Sequence, residues 1–208
     1  MLESGTVSLG AVILAAGSSS RMGRPKMLLP WRDTTILGHL IRLWTKLPAS
    51  QVAVVHAAAD TLLETELNRL EFPVQNRIAN PAAKRGMFSS IQCAANWPGW
   101  NIRLTHWAII LGDQPHLRPE TLSALANLAA KHPKNICQPG RHGRPRHPIL
   151  LPREVFKALE NSTAATLKEF LQPFAAKVKL VEADDPGLDL DLDHPADYEK
   201  ALKLAASG

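Results

Sequence analysis

A chain of 208 residues has room for one sizeable hydrophobic core, and we read it as a single domain. Its 45% hydrophobic and 21% charged residues point away from disordered and fibrous classes. The net charge of +5 with a single tyrosine argues against the aromatic-interleaved basic surface of a nucleic-acid binder.

The longest apolar runs, "AVILAA" and "WAIIL", fall far short of the ~20 residues a membrane span needs. No basic residue precedes the first of them as a leader peptide requires, so a cytoplasmic, membrane-free setting is expected. Cys93 and Cys137 stand in no C-x-x-C spacing and read as reduced, packed thiols rather than zinc ligands or a disulfide.

Apolar runs alternate with helical periodicities, the pattern of a mostly parallel sheet covered by helices. Leu9 to Ala15 reads as the first strand. After a Gly/Ser loop, Asp33 or Thr34 is expected to cap a helix whose Ile36, Leu37, Leu40, Ile41, Trp44 and Leu47 share one face. Next come a strand in "QVAVVH", a helix in "TLLETELNRL", a short strand in "FPVQN" and a helix in "MFSSIQCAANW". The strongest later strand is Thr105 to Leu111, followed by a helix with Pro119 at its first position and Leu122, Leu125 and Leu128 on one face. "NICQP" and "PILLP" read as strands around a basic loop, "REVFKALE" and "TLKEFLQPF" as short helices, "AKVKLVE" as the last strand and "HPADYEKALKLAA" as the closing helix.

The most informative stretch is "LAAGSSSRMGRPK", Leu14 to Lys26. A strand ending in glycine and serines lets backbone N–H groups converge on an anion. It is not a P-loop, because no Ser or Thr follows the lysine, and it is not G-x-G-x-x-G, because only Gly17 and Gly23 are present. Pro25 and Pro30 predict an irregular path beyond it. Basic residues are dense at Arg21 to Lys26 and again at Arg141 to Arg146, whereas acids are dense from Asp184 to Asp197. That polarity suits an anionic ligand on one side and a metal on the other.

This stretch resembles the L-A-A-G-x-S-x-R-M-G-x-x-K signature of the MobA-like nucleotidyltransferases, with every fixed position filled. The resemblance implies a three-layer α/β/α, Rossmann-like fold of the nucleotide-diphospho-sugar-transferase type. It further implies that Leu14, Ala15, Ala16, Gly17, Ser18, Arg21, Gly23 and Lys26 wrap a nucleoside triphosphate. Arg21 and Lys26 would neutralise the departing pyrophosphate. Met22 reads as packing beneath the loop, and Arg24 as solvated or a further cation.

"LGDQP", at the end of the strongest later strand, matches the family's G-D-Q-P. Gly112 and Asp113 therefore join the nucleotide site, with Asp113 holding Mg2+. "LDLDLDHPADY" resembles D-[IVL]-D-T-P-x-D-[YL], with His194 in place of Thr, and implies Asp191 as the second metal ligand and Asp193 as a helix cap. Asp189 is an alternative ligand, since i and i+2 of an extended segment face the same way.

"NPAAKRGMFSS" resembles N-P-x-x-x-x-G-M-x-x-S, which implies Asn80, Gly86, Met87, Ser89 and Ser90 around the base and ribose. In the family, Ala at the position of Ala16 accompanies cytidine nucleotides and Gly guanosine nucleotides, so CTP is favoured over GTP. "RPRHPIL" is similar to R-G-H-P-V-L, with Arg146 replacing Gly, and implies Arg146, His147 and Pro148 at the acceptor. The family's G-D-x-G-A-R is missing from Glu160 to Leu171, so Arg141, Arg144 and Arg146 are either an acceptor-phosphate site or a solvated loop.

The resemblance thus implies a Mg2+-dependent transfer of a nucleoside monophosphate to a phosphorylated acceptor, molybdopterin first, with a molybdoenzyme as a possible partner. The alternatives are a sugar phosphate or another small phosphorylated metabolite as acceptor, or an accessory module that binds nucleotide without chemistry.

Overall fold

The computed structural model describes residues 7–47 and 49–207. Its centre is an eight-stranded sheet. The strands are β1 (Leu9–Leu14), β4 (Ala49–Ala57), β5 (Arg77–Asn80), β6 (His106–Leu111), β7 (Ile136–Arg141), β8 (Arg144–Pro145), β9 (Ile149–Pro152) and β10 (Val178–Glu182). They run in the order β10-β7-β9-β6-β1-β4-β5, with β8 paired to β7. β1 is central and parallel to both β4 and β6, whereas β9 runs antiparallel to β6 and β7. A separate two-stranded ribbon joins β2 (Pro30–Trp31) to β3 (Thr34–Thr35).

Alternation along the strands makes two cores, because successive side chains leave opposite faces of a sheet. Ala11, Ile13, Val54, Ala108 and Ile110 point to one face. There they meet α1 (Ile36–Lys46), α2 (Thr61–Arg69), α4 (Pro119–Lys131) and α7 (Pro195–Ser207). Val12, Leu14, Val55, Trp107 and Ile109 point to the other, against α3 (Met87–Ala95), α5 (Arg153–Ala158) and α6 (Leu167–Leu171). The expected three-layer α/β/α architecture is therefore the observed one.

Several local expectations change. Thr35, not Asp33 or Thr34, caps α1 by accepting from the Gly38 N–H, because the two-stranded ribbon carries both threonines and the helix starts only at Ile36. "FPVQN" is a 3₁₀ turn, closed by Asn76 N–H donating to the Pro73 carbonyl, and the strand begins only at Arg77. Val74, apolar by composition, is exposed at its tip. Met22 does pack into the core beneath the loop. The segment Glu160 to Leu171 is tied to α3, where Gln92 donates to the Ser162 carbonyl, and its Leu167 and Phe170 join the second core.

Glu66 locks α2 to the start of α1. It is buried, accepts from the Thr35 hydroxyl at 2.6 Å and is forked by Arg69 at 2.7 Å. The Arg69 hydrogen bonds hold its carboxyl below the usual 4.5, against the opposing cost of burial. An acid with a depressed folded pKa stabilises above its unfolded pKa, and the gain is lost as pH falls through the folded one. We expect Glu66→Gln to cost about 1 kcal/mol at pH 7, the Arg69 partner being solvent-screened. Urea melts should show that deficit begin to shrink as pH falls below the unfolded value of about 4.3.

Candidate active site

The site lies beyond the carboxyl ends of β1, β4, β5 and β6, the edge at which open α/β sheets receive ligands. A cleft of about 740 Å³ is walled by Leu14, Ala16, Gly17 and Ser18 on one side and by Gly86, Met87 and Ser90 on the other, with Gly112 and Asp113 in its lining. A smaller recess of about 90 Å³ continues to Ala15, Ser19 and Lys26.

After β1 the chain opens into an irregular loop and two short 3₁₀ turns, Ser20–Met22 and Lys26–Leu28. Gly23, between them, has φ 67°, which a side chain would resist. The Ser19 hydroxyl accepts from the Lys26 N–H at 3.0 Å and fastens the two turns. Among the described hydrogen bonds, none uses the N–H groups of Ala16, Gly17 or Ser18, and these three residues line the cleft. Gly112 lets this loop close on β6: a methyl group there would stand 2.6 Å from Met27 Sδ and 2.7 Å from the Leu14 carbonyl.

Four charges knit the loop to the acids. Lys26 Nζ lies 3.3 Å from Asp113 and 3.8 Å from Asp193, and Arg21 reaches Asp193 at 2.9 Å. Asp193 is thus turned toward the loop's cations and not the expected cap of α7: among the described hydrogen bonds the start of that helix is held by Asp197, which accepts from the His194 N–H at 3.0 Å. Arg24 lies over the Tyr198 ring at 6.0 Å instead of joining them. Asp113 Oδ2 takes Lys26, whereas its Oδ1 is buried without a partner.

On the far side of Asp113, a second pocket of about 300 Å³ is lined by Gln114, Pro145, Arg146, His147, Asp189 and Asp191, among others. Asp191 accepts from Gln114 Nε2 at 2.9 Å. Desolvation, and then repulsion by Asp113, raise its carboxyl above the ordinary range for aspartate. Asp189 is engaged differently. Arg146 holds it at 2.6 Å and Arg141 at 2.8 Å, and the Arg146 hydrogen bond foremost keeps its carboxyl below the usual value. The two acids therefore face the same pocket with opposite electrostatics. His147 is kept neutral-leaning by burial, and its Nδ1 has no partner.

Most residues singled out from the sequence converge here, and a few do not line the pockets. Asn80 is buried, donates to Ser89 and Ser90 and accepts from the Ala82 N–H. Ser89 donates back to the Ala82 and Gly86 carbonyls. These two brace the loop that carries Gly86 and Met87 and do not face the cleft. Pro148 is likewise buried beneath the second pocket, and Arg21 and Gly23 stand exposed at the loop's outer side. Ala57, Asp60, Lys84 and Gln114 line the pockets without having been singled out. Asp60 was detectable in principle, since it follows β4 at the same edge of the sheet.

With a loop of unused N–H groups after the first strand of a parallel-centred sheet and a carboxylate at the end of a neighbouring strand, the chain is, by its family, a nucleotidyltransferase. Residues 11–180 match the MobA-like NTP transferase domain, and the chain belongs to that family. The molybdenum cofactor cytidylyltransferase of Escherichia coli K12 is 27% identical over 92% of this chain and 94% of its own length. A nucleotidyl transferase from Methanothermobacter superposes with a TM-score of 0.77 at 18% identity, covering 97% of this chain and 99% of that one. The Rv0371c protein of Mycobacterium tuberculosis, in complex with manganese, does so with a TM-score of 0.67 at 23% identity over 95% and 99% of the two chains. Both structural likenesses are likenesses of fold.

Proposed function

We propose that this nucleotidyltransferase transfers CMP from CTP to a phosphate of an acceptor, molybdopterin in the leading reading, and releases pyrophosphate. The observation that carries the proposal is the unpartnered, buried Oδ1 of Asp113 at the seam between cleft, recess and loop. A buried carboxylate oxygen without a hydrogen bond is costly and calls for a partner. An oxygen-only donor pair suits Mg2+, which takes one or two carboxylates and completes its shell with water and phosphate. Asp113 and Asp191 would hold it, and the resemblance to the manganese-bound Mycobacterium protein supports a divalent ion. When bound, the ion offsets charge on the reacting phosphates.

The chain's own residues would do the rest. The N–H groups of Ala16 to Ser18 bind phosphate oxygens, and Lys26 and Arg21 transfer their charge from Asp113 and Asp193 to the leaving pyrophosphate. An oxygen of the acceptor phosphate forms the new bond to the α-phosphorus as the bond to the β-phosphate oxygen breaks. That nucleophile is already anionic, so positioning in the second pocket, beside Arg146 and His147, replaces a general base. CTP is preferred because the Ala16 methyl narrows the cleft beside the base. The E. coli relative's name carries the same preference. Both cysteines are free thiols, in keeping with a cytoplasmic setting.

Thermal unfolding with Mg2+ and each of CTP, GTP, ATP and UTP tests this. CTP at ~100 times its dissociation constant should add about 2.7 kcal/mol of stability, and the others less. A GTP preference would overturn the reading of Ala16. Absence of pyrophosphate release with CTP and molybdopterin would favour another phosphorylated acceptor.

A further inference from the structure

The acidic segment that supplies Asp191 has little regular structure of its own, yet it is held in a defined register. Residues 185–192 are zippered against 113–121. Leu192 N–H donates to the Asp113 carbonyl at 3.2 Å, and His116 Nε2 lies 3.1 Å from the Gly187 carbonyl. Asp185 accepts from the Arg118 N–H at 3.0 Å and the Thr121 hydroxyl at 2.8 Å. All these links fix the backbone or the segment's far end. Among the described hydrogen bonds, the link that ends on the Asp191 carboxylate itself comes from Gln114.

The geometry points to Gln114 as a positioning residue that aims the Asp191 carboxylate at the metal site shared with Asp113, an inference that rests on the metal reading above. An ionised carboxylate only accepts hydrogen bonds, so the amide must turn its NH₂ toward Asp191, and the assignment of nitrogen and oxygen is settled by the partner. That orientation has a cost. Gln114 is 5% exposed and its Oε1 is buried with no partner, so half of the amide is left unsatisfied. Burying an unpaired carbonyl oxygen works against folding. A methionine of similar length would fill the same space with no polar atom to satisfy.

The residue is therefore poorly explained by stability and well explained by what its other half holds. Asp113 and Asp191 repel one another across the seam, and a neutral donor on Asp191 keeps it in place without competing as a third anion. Partners that orient a metal ligand typically change metal affinity by about 10–100-fold when removed.

The test is Mn2+ binding to the nucleotide-free protein, read by the loss of free Mn2+ signal in electron paramagnetic resonance, for wild type, Gln114→Met, Asp191→Asn and the double variant. Gln114→Met should weaken Mn2+ by about tenfold with a melting temperature close to wild type, because relief of the unpaired Oε1 opposes the loss of the donor to Asp191. In the double variant the two losses should not add, because Gln114 acts through Asp191. Unchanged Mn2+ affinity in Gln114→Met, or losses that add fully, would overturn the inference while leaving the metal reading intact. If Asp113→Asn and Asp191→Asn also bind Mn2+ normally, the metal reading fails and takes this inference with it. Should Gln114→Met not fold, Gln114→Ala in the same cycle serves instead.

Discussion

Replacing Asp113 with asparagine should lower nucleotidyl transfer by about 10²–10³-fold, the range seen when a preorganised electrostatic group is removed. The substitution keeps shape and removes charge. In the ligand-free protein Asp113 has two oxygens with different fates, one on Lys26 at 3.3 Å and one buried without a partner. Asparagine takes the charge from Lys26 and leaves that lysine with Asp193 at 3.8 Å as its remaining acidic contact. The nucleotide's phosphates still find Lys26, Arg21 and the backbone of Ala16 to Ser18, so binding should suffer much less than turnover. Stopped turnover assays with CTP, paired with CTP-induced thermal shifts, separate the two. A variant that keeps near-normal turnover would remove Asp113 from the reaction, and one that loses CTP binding and turnover equally would make it a ground-state contact. Thermal stability should change little, because the substitution removes the ion pair with Lys26 and the repulsion of Asp191 together.

The parts of this site that were legible in the sequence are those encoded locally. The loop from Leu14 to Lys26 carries its chemistry in consecutive residues, and β6 delivers Asp113 directly from its own carboxyl end. Helix α4 announced itself through Pro119 and its leucine spacing, which Leu122 and Leu125 fulfil in the core. What stayed hidden depends on residues far apart in the chain. Nothing local says that Gln114 meets Asp191 across 77 positions, or that Asp189 is claimed by Arg141 and Arg146 while its neighbour two residues on is not. The motif places Asn80 at the ligand because it marks a functional loop, but it does not distinguish a residue that touches the ligand from one that braces the loop. Burial makes that distinction. The turn at Val74–Asn76 is hidden for a related reason: an apolar residue beside Pro73 has the pattern of a strand, and only its exposure marks the turn.

Acid should begin to destabilise this protein before its carboxylates titrate in the unfolded chain, because the fold lowers the proton affinity of four histidines. Burial is the first cause at each: His39, pushed down to about 4 with Arg32 repelling its proton, and His106, His116 and His147, all below the usual 6.5. None sits idly. His39 packs against Trp31 at 6.0 Å, His106 is on β6, His116 holds the Gly187 carbonyl and His147 lines the second pocket. A base whose folded pKa is depressed contributes stability that is complete above its unfolded pKa, near 6.5, and is lost as pH falls toward the folded value. Each such histidine removes up to about 1.4 kcal/mol per pH unit once the unfolded chain is protonated and the folded one is not. Four acting in the same direction make the loss cumulative, against a total stability of about 5–15 kcal/mol for an ordinary domain. Asp191 works in the opposite direction, since its raised carboxyl gains from protonation, but it is one group against four. Urea melts at pH 7, 6 and 5 should therefore show midpoints falling steeply, with His39→Leu flattening the slope by about one proton's worth. A stability that stays level from pH 7 to 5 would mean that these rings take up protons in the folded state, and the zipper through His116 that holds the acidic segment would then have to survive carrying a charge.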